Sequence, residues 1–312
     1  MRKVIIDCDM GTDDAVALCL CLFDERLDVV AVTACEGSVT ADQANQNLQA
    51  VIGLIDPDKY PRLGSASGAD NAPPVNTSFL YGQDGLGNSG FEVSRLQHLA
   101  PSDKLIADCI KQNPNDVTIL CLGPLTNVAR AFQRDPGLEN LVDRIVITGG
   151  SVDAIGNITA GAEFNMYFDP ESAKQVFESR TTKTLVPLDI TRQIEFGLDF
   201  MDQLPDDHSR AGWFLRQILP NAFRTFRQHY GKESITLNDV IGAMSILEPQ
   251  LFEFNEMPGM IEVTGEITRG VTLFDRRDIP EASNNMEVAT DVRTDQIWQY
   301  IVDQLTLAGN AT

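Results

Sequence analysis

Basic residues are scarce in this sequence. Its 312 residues include 24 Lys plus Arg against 45 Asp plus Glu, and the formal net charge is −21. Surfaces that bind nucleic acid or anionic membranes need clusters of basic side chains, which so few cations among so many acids cannot easily build. We therefore expect no nucleic-acid partner and no membrane partner, and instead expect a small-molecule substrate.

Long apolar runs and closely paired cysteines are also missing. No run approaches the ~20 apolar residues that span a bilayer, and residues 1–20 carry four acids where a signal peptide would be apolar. The six cysteines form no Cys-x-x-Cys pair and lie mostly in apolar stretches. This pattern indicates buried free thiols in a reducing compartment rather than zinc ligands or disulfides. The lack of a membrane span and of a signal peptide predicts a cytoplasmic protein.

Strand and helix patterns alternate along the chain. Buried strands are predicted at residues 4–6, 27–34, 117–122, 144–148 and 183–189. Helices are predicted at residues 41–55, 102–112, 208–229 and 294–307, and from residues 13 and 128 onward. This order implies parallel strands with right-handed crossovers. It predicts an α/β fold with an open, mostly parallel, Rossmann-like sheet flanked by helices.

The remaining patterns concern domain organisation and the end of the chain. Residues 260–264 and 271–274 predict two strands near the end of the chain, which would pair as a hairpin. No repeat, low-complexity tract or Pro/Gly/Ser linker divides the chain, so a single domain over residues 1–312 is expected.

The most informative stretch follows the strand at residues 4–6. Four carboxylates lie there within eight positions, at Asp7, Asp9, Asp13 and Asp14. Gly11 allows a tight turn between them, and Thr12 could cap the helix that follows. Caps and the helix dipole could explain Asp13 or Asp14 without any further role, but not Asp7 and Asp9 as well. Converging carboxylates repel unless a cation separates them, so the stretch predicts a hard divalent metal.

Three later features bear on the site. Residues 64–95 are rich in Gly, Asn, Pro and Ser, and a loop of this length predicts a functional segment such as a lid. Residues 156–165 form a polar loop whose side chains could bind sugar hydroxyls. Asp189 follows a predicted strand, where a cap or turn role and a site role are about equally favoured. The helix at 208–229 carries four aromatic residues, and only those near its end are candidates for lining a pocket.

These motifs together resemble the inosine-uridine preferring nucleoside hydrolase family, whose members open with Asp-x-Asp-x-Gly-x-Asp-Asp-Ala. Here that pattern spans residues 7–15. Further matching blocks follow in family order: Gly-Pro-Leu-Thr-Asn at 123–127, Asn157, Glu-Phe-Asn at 163–165, Asp-Pro-Glu at 169–171, and Asp239. The blocks extend over nearly the whole chain.

The resemblance implies a Ca²⁺ cofactor that holds a water and the ribose 2′- and 3′-hydroxyls. It places the metal ligands at Asp9, Asp14, Asp239 and the backbone carbonyl of Leu122, all of them the hard oxygen donors that calcium requires. The implied reaction is hydrolysis of the N-glycosidic bond of ribonucleosides, which releases free base and ribose. Asp13 is our candidate for the general base that acts on a metal-bound water.

The same resemblance assigns the substrate contacts. Asn157, Glu163 and Asn165 would hold the ribose hydroxyls, and Asp7 would have a supporting role. It also implies a homo-oligomer, dimer or tetramer, and a place in purine or pyrimidine salvage.

Two positions on the base side depart from the family pattern. The His that precedes the late Asp in well-described members is Asn238 here, and a second His in the lid loop is replaced by Tyr81. An Asn side chain cannot donate a proton at neutral pH, so Tyr81, His229, Tyr230 or an aromatic stacking surface would have to activate the leaving base. These departures leave open the base preference and a modified nucleoside as substrate.

Two other classes of protein are compatible with parts of the pattern. Haloacid-dehalogenase-like phosphatases also begin with a strand and Asp-x-Asp, but they need Thr or Val where this chain has Gly11, and they do not need the pair Asp13 and Asp14. A nucleoside- or ribose-binding protein with little turnover is the second alternative, favoured by Asn238.

Overall fold

The computed structural model of this chain describes residues 1–93 and 98–311. Its strands are β1 (Arg2–Cys8), β2 (Leu27–Ala34), β3 (Arg62–Ser65), β4 (Ala100–Pro101), β5 (Val117–Cys121), β6 (Arg144–Thr148), β7 (Lys183–Val186), β8 (Phe252–Met257), β9 (Gly259–Ile261), β10 (Thr272–Phe274) and β11 (Met286–Val292). Its α-helices are α1 (Thr12–Leu22), α2 (Ala41–Ile55), α3 (Ser78–Tyr81), α4 (Ser102–Gln112), α5 (Thr126–Arg134), α6 (Phe164–Phe168), α7 (Pro170–Glu178), α8 (Leu188–Thr191), α9 (Phe200–Gln203), α10 (Arg210–Tyr230), α11 (Asn238–Leu247) and α12 (Thr294–Ala311).

The main sheet confirms the predicted α/β class. Within the described residues it has nine strands in the order β4-β3-β2-β1-β5-β6-β7-β11-β8, and only β8 runs antiparallel to its neighbour. The chain builds outward from β1 in one direction through β2 to β4 and then in the other from β5. Because the direction reverses at β1, a crevice for ligands is expected at the carboxyl ends of β1 and β5.

Strand β1 is central because its apolar side chains are buried on both faces of the sheet. Val4 and Ile6 pack into the core on one face together with α1, α2, α10, α11 and α12. Ile5 points the other way and packs with α4, α5 and α7. Alternate residues of a strand face opposite sides, so a continuous β-branched run places one residue set in each core.

Several predicted elements are found with the same bounds: β2, α2, α4 and β6. Strand β7 is shorter than predicted and ends at Val186, before a proline that lacks an N–H for the ladder. Asp189 therefore lies in α8, where its carboxylate accepts N–H bonds of 2.7–2.8 Å from the backbone of residues 152–154. These contacts support the interpretation of Asp189 as a cap or turn residue rather than a site residue.

Other strands and helices were predicted only in part or not at all. The late hairpin is confirmed by the antiparallel pairing of β9 with β10, although β9 ends at Ile261 and the pair lies outside the main sheet. Strands β3, β4, β8 and β11 were not predicted, and neither was α6, which lies at the end of the expected polar loop. The predicted lid at 64–95 contains α3, and its last two residues lie outside the described residues.

Two sequence expectations about composition can be compared with the fold. All six cysteines lie in the described residues, and each is buried with a free thiol, as predicted. In the residues that the structure describes, no helix is both long enough and apolar enough to cross a membrane.

Candidate active site

The four opening acids lie where β1 passes into α1: Asp7 is in β1, Asp9 is in the connecting turn, and Asp13 and Asp14 are in the first turn of α1. Asp9 accepts an N–H bond from Ser38 at its Oδ2 (2.6 Å), and Asp14 accepts one from Gly11 at its Oδ2 (2.7 Å). Helix α1 therefore has Gly11 at its N-cap, and Thr12 is not the cap that the sequence suggested. Thr12 instead donates its hydroxyl to the carbonyl of Gly85 (3.2 Å).

Asp239 joins this turn from the start of α11. Carboxylate oxygens of Asp13, Asp14 and Asp239 lie within 4.8 Å of one another. Asp14 and Asp239 are buried, and Asp13 is 9% exposed. Burial raises the pKa of Asp14 and Asp239 well above their ordinary value, and the neighbouring carboxylates raise it further. Burial also raises the pKa of Asp13 to about 6, with the charge of Asp9 adding to the effect. Such a group is costly without a cation among its members.

A hard divalent cation fits these residues. Among the described residues, no hydrogen-bond donor contacts the buried Oδ1 of Asp14, so this carboxylate oxygen has no partner. The carbonyl of Leu122, at the end of β5, accepts one bond from Asn165 Nδ2 (2.7 Å) and retains a second lone pair. Carboxylate and carbonyl oxygens are the ligands that Ca²⁺ and Mg²⁺ prefer.

Asp7 lies behind the cluster rather than beside it. Its Oδ1 accepts hydrogen bonds from Thr33 Oγ1 (2.6 Å) on β2 and from Asn127 Nδ2 (2.8 Å) on α5. Burial raises the pKa of Asp7 to about 7, and no described donor reaches its buried Oδ2. Asp7 does not line the cavity described next, so its contacts are those of a residue that holds β1, β2 and α5 together.

A cavity of about 490 Å³ opens in front of the carboxylates at the carboxyl ends of the strands. The structure brings most of the predicted site residues to its wall: Asp9, Asp13, Tyr81, Leu122, Asn157, Glu163, Asn165, Asn238 and Asp239. Asp7 and Asp14 are the two that do not line it. The volume lies in the range that holds drug-sized ligands, so a nucleoside fits.

Glu163 is held by backbone groups at the start of α6. Its Oε2 accepts N–H bonds from Gly150 (3.0 Å) and Met166 (3.2 Å), which makes it the N-cap of the helix. Burial raises its pKa to about 7. The unpredicted helix therefore positions a predicted site residue.

The two amides on the same wall are also anchored. Asn157 accepts an N–H bond from Phe164 (2.7 Å) at its Oδ1. Asn165 donates both hydrogens of its Nδ2, one to the carbonyl of Leu122 and one to that of Thr148 (3.1 Å). Only the Oδ1 of Asn165 is therefore left for a ligand, so it can accept a hydrogen bond from a hydroxyl but cannot donate one.

Tyr81 and Asn238, the two departures from the family pattern, also line the cavity. Tyr81 ends α3, whose Leu80 carbonyl accepts hydrogen bonds from Thr225 Oγ1 (3.0 Å) and Asn221 Nδ2 (3.4 Å) on α10. Asn238 begins α11, and its buried Oδ1 meets no donor in the part of the chain that the structure describes. The predicted lid segment therefore borders the cavity and is fastened to α10.

The candidates for leaving-group activation separate in space. Tyr81 and Tyr230 line the cavity, whereas His229 is not among the described lining residues. The His229 ring packs edge-on against Phe79, with ring centroids 5.1 Å apart. Phe226 also lines the cavity, which confirms that the aromatics near the end of α10 are the ones that reach it.

Sequence patterns missed other lining residues. Arg192 donates to the carbonyls of Ile155 (2.6 Å) and Gly156 (3.1 Å), and Lys232 pairs with Glu195 at 2.6 Å. These side chains come from connections beside α8 and α10, where no local motif marks them. Only the tertiary fold brings them to the cavity.

The open parallel sheet, the buried carboxylate cluster and the cavity at the carboxyl ends of the strands define an α/β enzyme with a site for a hard metal ion. A family model described as "Inosine-uridine preferring nucleoside hydrolase" matches residues 4–299, and the chain belongs to this family. The predicted family and enzyme class, a nucleoside hydrolase acting on N-glycosyl compounds, are confirmed. The match overturns the phosphatase alternative.

Individual relatives agree with this assignment. The chain is 32% identical over 280 residues to "Probable uridine nucleosidase 2" of Oryza sativa subsp. japonica, covering 88% of this chain and 82% of that protein. It is 29% identical over 306 residues to "Non-specific ribonucleoside hydrolase RihC" of Salmonella enteritidis, covering 98% of each. A solved "Purine-Preferring Ribonucleoside Hydrolase from Gardnerella vaginalis" superposes with a TM-score of 0.91 at 24% identity, over 99% of this chain and 100% of that one. At 24% identity, this last comparison supports the fold alone.

Proposed function

We propose that this protein hydrolyses the N-glycosidic bond of ribonucleosides, releases free base and ribose, and uses Ca²⁺ as its metal. The observation that carries the proposal is the carboxylate group of Asp13, Asp14 and Asp239, of which Asp13 and Asp239 line a cavity of about 490 Å³. The names of the rice and Salmonella relatives, a probable uridine nucleosidase and a ribonucleoside hydrolase, support nucleosides as the substrate class.

The metal ligands in this proposal are Asp9, Asp14, Asp239 and the Leu122 carbonyl. The unpartnered Oδ1 of Asp14 supports the assignment, because a buried carboxylate oxygen is rarely left without a donor or a cation. A bound calcium would lower the pKa of a coordinated water and hold neighbouring hydroxyls of the ribose. Calcium accepts six to eight oxygen ligands, so four protein residues leave positions for both.

Asp13 is the proposed general base. Water attacks the anomeric carbon of the ribose, the new carbon–oxygen bond replaces the bond to the base nitrogen, and Asp13 takes the proton that the water loses. A cation among the carboxylates would favour the ionised form of Asp13, which is the form that can accept that proton. Positive charge develops on the ribose ring in an oxocarbenium-like transition state, which the surrounding carboxylates stabilise.

Ribose would be held by Asn157, Glu163 and Asn165. Each is anchored by hydrogen bonds to backbone groups, so their remaining polar atoms are held in place before the substrate arrives. On the base side, Tyr81 and Asn238 are the proposed contacts. Since Asn238 cannot donate a proton, Tyr81 or Tyr230 is the proposed source of the proton for the departing base.

The experiment that tests the function measures free ribose released from a panel of purine and pyrimidine ribonucleosides. The assay is run on the protein as prepared, after treatment with a calcium chelator, and after add-back of Ca²⁺ or Mg²⁺ separately. Ribose release that the chelator removes and only calcium restores supports the full proposal. If only magnesium restored ribose release, the metal in the proposal would be Mg²⁺ instead of Ca²⁺. If calcium were bound and no nucleoside released ribose, the result would contradict hydrolysis.

A ligand-binding protein with little turnover is the second candidate, and the observation that favours it is Asn238. This side chain lines the cavity at the position where well-described family members have a proton-donating His. Calorimetry that shows tight nucleoside binding together with negligible ribose release would favour the binding protein. The retained carboxylate Asp13 argues against it, because binding alone needs no general base.

The predictions about domain organisation, oligomeric state, cellular location and metabolic role remain proposals. A single domain over residues 1–312 is supported by one core cluster that includes side chains from β1 through α12. The homo-oligomeric state, the cytoplasmic location and the role in purine or pyrimidine salvage stay predictions.

A further inference from the structure

Between the opening acids the backbone of Met10 adopts an unusual conformation. Its φ is 62°, in the left-handed region that residues with a side chain rarely occupy, and the side chain is fully buried. Met10 lies between Asp9 and the Gly11 N–H that binds Asp14. Neighbouring groups must hold such a conformation in place, and a strained residue beside a site can indicate a functional constraint.

Asn47 on α2 supplies the contact. Its side chain is 3% exposed, and its Nδ2 donates one hydrogen to the carbonyl of Met10 (3.1 Å) and the other to the carbonyl of Asp84 (2.7 Å). Its Oδ1 accepts a hydrogen bond from Gln43 Nε2 (2.9 Å), which orients the amide so that both hydrogens face the two loops. Buried amides that satisfy two backbone carbonyls are costly to remove.

Asp84 belongs to the loop at residues 82–90, which directly follows Tyr81. Its carboxylate accepts N–H bonds from Leu86, Asn88 and Gly90, so the loop is a compact unit around this side chain. The backbone N–H of Gly87 returns to the carbonyl of Tyr81 (2.8 Å). A shift of this loop would therefore move Tyr81.

A second contact joins the same two segments. The hydroxyl of Thr12 donates to the carbonyl of Gly85 (3.2 Å), directly beside Met10 and Asn47. A methyl group on Gly85 would stand 3.5 Å from Asn47 Nδ2 and 3.7 Å from the Met10 carbonyl, which shows how closely the loop approaches the turn. Two sets of contacts, one from Asn47 and one from Thr12, therefore join the turn at residues 9–12 to the loop at residues 82–90.

We infer that Asn47 is a positioning residue that couples the metal-ligand turn at residues 9–12 to the Tyr81 loop at residues 82–90. The inference rests on the proposed function, in which Asp9 and Asp14 bind the metal and Tyr81 contacts the base. In that proposal Asn47 itself is neither a metal ligand nor a substrate contact. It acts by holding the backbone of Met10 in its left-handed conformation and by fixing the position of the Tyr81 loop relative to the turn.

The test compares Asn47→Asp with Asn45→Asp. Aspartate keeps the shape of Asn47 but cannot donate to the carbonyls of Met10 and Asp84. Asn45 is a matched control on the same helix, because its amide also bonds to loop backbone, at Ala66 (2.7 and 3.2 Å), away from the acid turn. The readouts are calcium affinity of the metal-stripped protein by calorimetry, and amide hydrogen exchange of residues 9–12 and 82–90 by mass spectrometry.

We expect Asn47→Asp to weaken calcium binding about tenfold and to speed exchange in both segments together, as loss of a residue that orients ligands commonly does. Asn45→Asp should change exchange near Ala66 and leave calcium affinity near that of the wild type. Faster exchange in only one of the two segments, or equal calcium affinities for the two variants, would overturn the inference.

Thr12→Val provides a second variant in case Asn47→Asp does not fold, because it removes the other contact without changing side-chain shape. It should weaken calcium binding and speed exchange in residues 82–90, and no change in either would count against the coupling. Neither readout needs turnover. A wild type that binds calcium but releases no ribose would contradict the proposed function while leaving this test intact, and a wild type that binds no calcium leaves the exchange result to decide.

Discussion

Replacement of Gly37 by alanine offers a direct test of the assignment of Asp9 as a metal ligand. Gly37 follows β2 and lies against the Asp9 side chain. An added methyl group would stand 2.8 Å from Asp9 Cβ and 2.9 Å from Cγ, and closer still to Oδ2. The φ of Gly37 is not in the left-handed region, so its backbone tolerates alanine and the effect is one of space alone.

The size of the effect follows from these distances. Carbon atoms in contact lie about 3.5–4.0 Å apart, so the Asp9 side chain would have to move by about 1 Å. It cannot simply rotate away, because the methyl group meets its Cβ as well and because the Ser38 N–H holds Oδ2 at 2.6 Å. A ligand displaced this far should weaken calcium binding roughly 10- to 100-fold. Ribose release at a fixed, limiting calcium concentration should fall by about 100-fold.

Calorimetric calcium titration of the metal-stripped protein measures the first effect, and ribose release across a calcium series measures the second. Gly53→Ala is the matched control, since Gly53 lies in α2 and an added methyl group there meets nothing within 4 Å. The control should keep wild-type calcium affinity and gain about 0.5–1 kcal/mol of stability. Wild-type calcium affinity in a folded Gly37→Ala variant would refute Asp9 as a ligand held in this position, and thermal melts without metal identify loss of affinity caused by unfolding.

Three further predictions concern other residues. Asp13→Asn should lower kcat by about 100- to 10,000-fold while calcium affinity and thermal stability change little, and a near-normal kcat would exclude Asp13 as the general base. Asn238→His should raise ribose release at least tenfold near pH 6, with the gain lost as the imidazole deprotonates above its ordinary pKa of about 6.5; equal rates for every nucleoside would mean that the missing His does not limit this site. Buried Lys183 donates to the carbonyls of Ser179 (2.6 Å) and Thr181 (2.9 Å), and burial lowers its pKa from 10.5 to about 8. Between these values the unfolded chain holds a proton that the folded chain has lost, so this group should raise the free energy of unfolding by roughly 2 to 3 kcal/mol from pH 7 to pH 10; urea unfolding of Lys183→Met should lack this rise, and identical pH slopes would contradict it.

Elements with a strong local pattern were predicted well. Strand β2 and helices α2 and α4 have the predicted bounds, because each carries its apolar residues with the period of one element and is closed by polar or turn residues. Strands β3, β4, β8 and β11 were missed. Strand β4 has two residues and β8 has buried, intermediate and exposed positions, so neither shows a period that separates it from a loop.

The site shows the same division at the level of single residues. Asp7, Asp9, Asp13 and Asp14 could be singled out from the sequence because four acids within eight positions repel one another unless a cation lies between them. Asn47 was missed, although it carried a signal: α2 buries Ala44, Leu48 and Val51 on the same face, and an amide among them must find hydrogen-bond partners. The sequence could have indicated that Asn47 binds backbone groups, but not which ones.

Sequence alone determined the parts of this protein that depend on neighbouring residues: the α/β class, the acid turn at the end of β1, and the family motifs in their order. The tertiary structure decided which distant residues meet. Asp239 joins Asp13 and Asp14 because α11 packs beside α1, and the amide of Asn47 on α2 binds the carbonyls of both Met10 and Asp84. Local patterns follow from hydrogen bonding and side-chain burial within one element, whereas contacts between residues far apart in the chain exist only after the sheet has set the positions of its helices and loops.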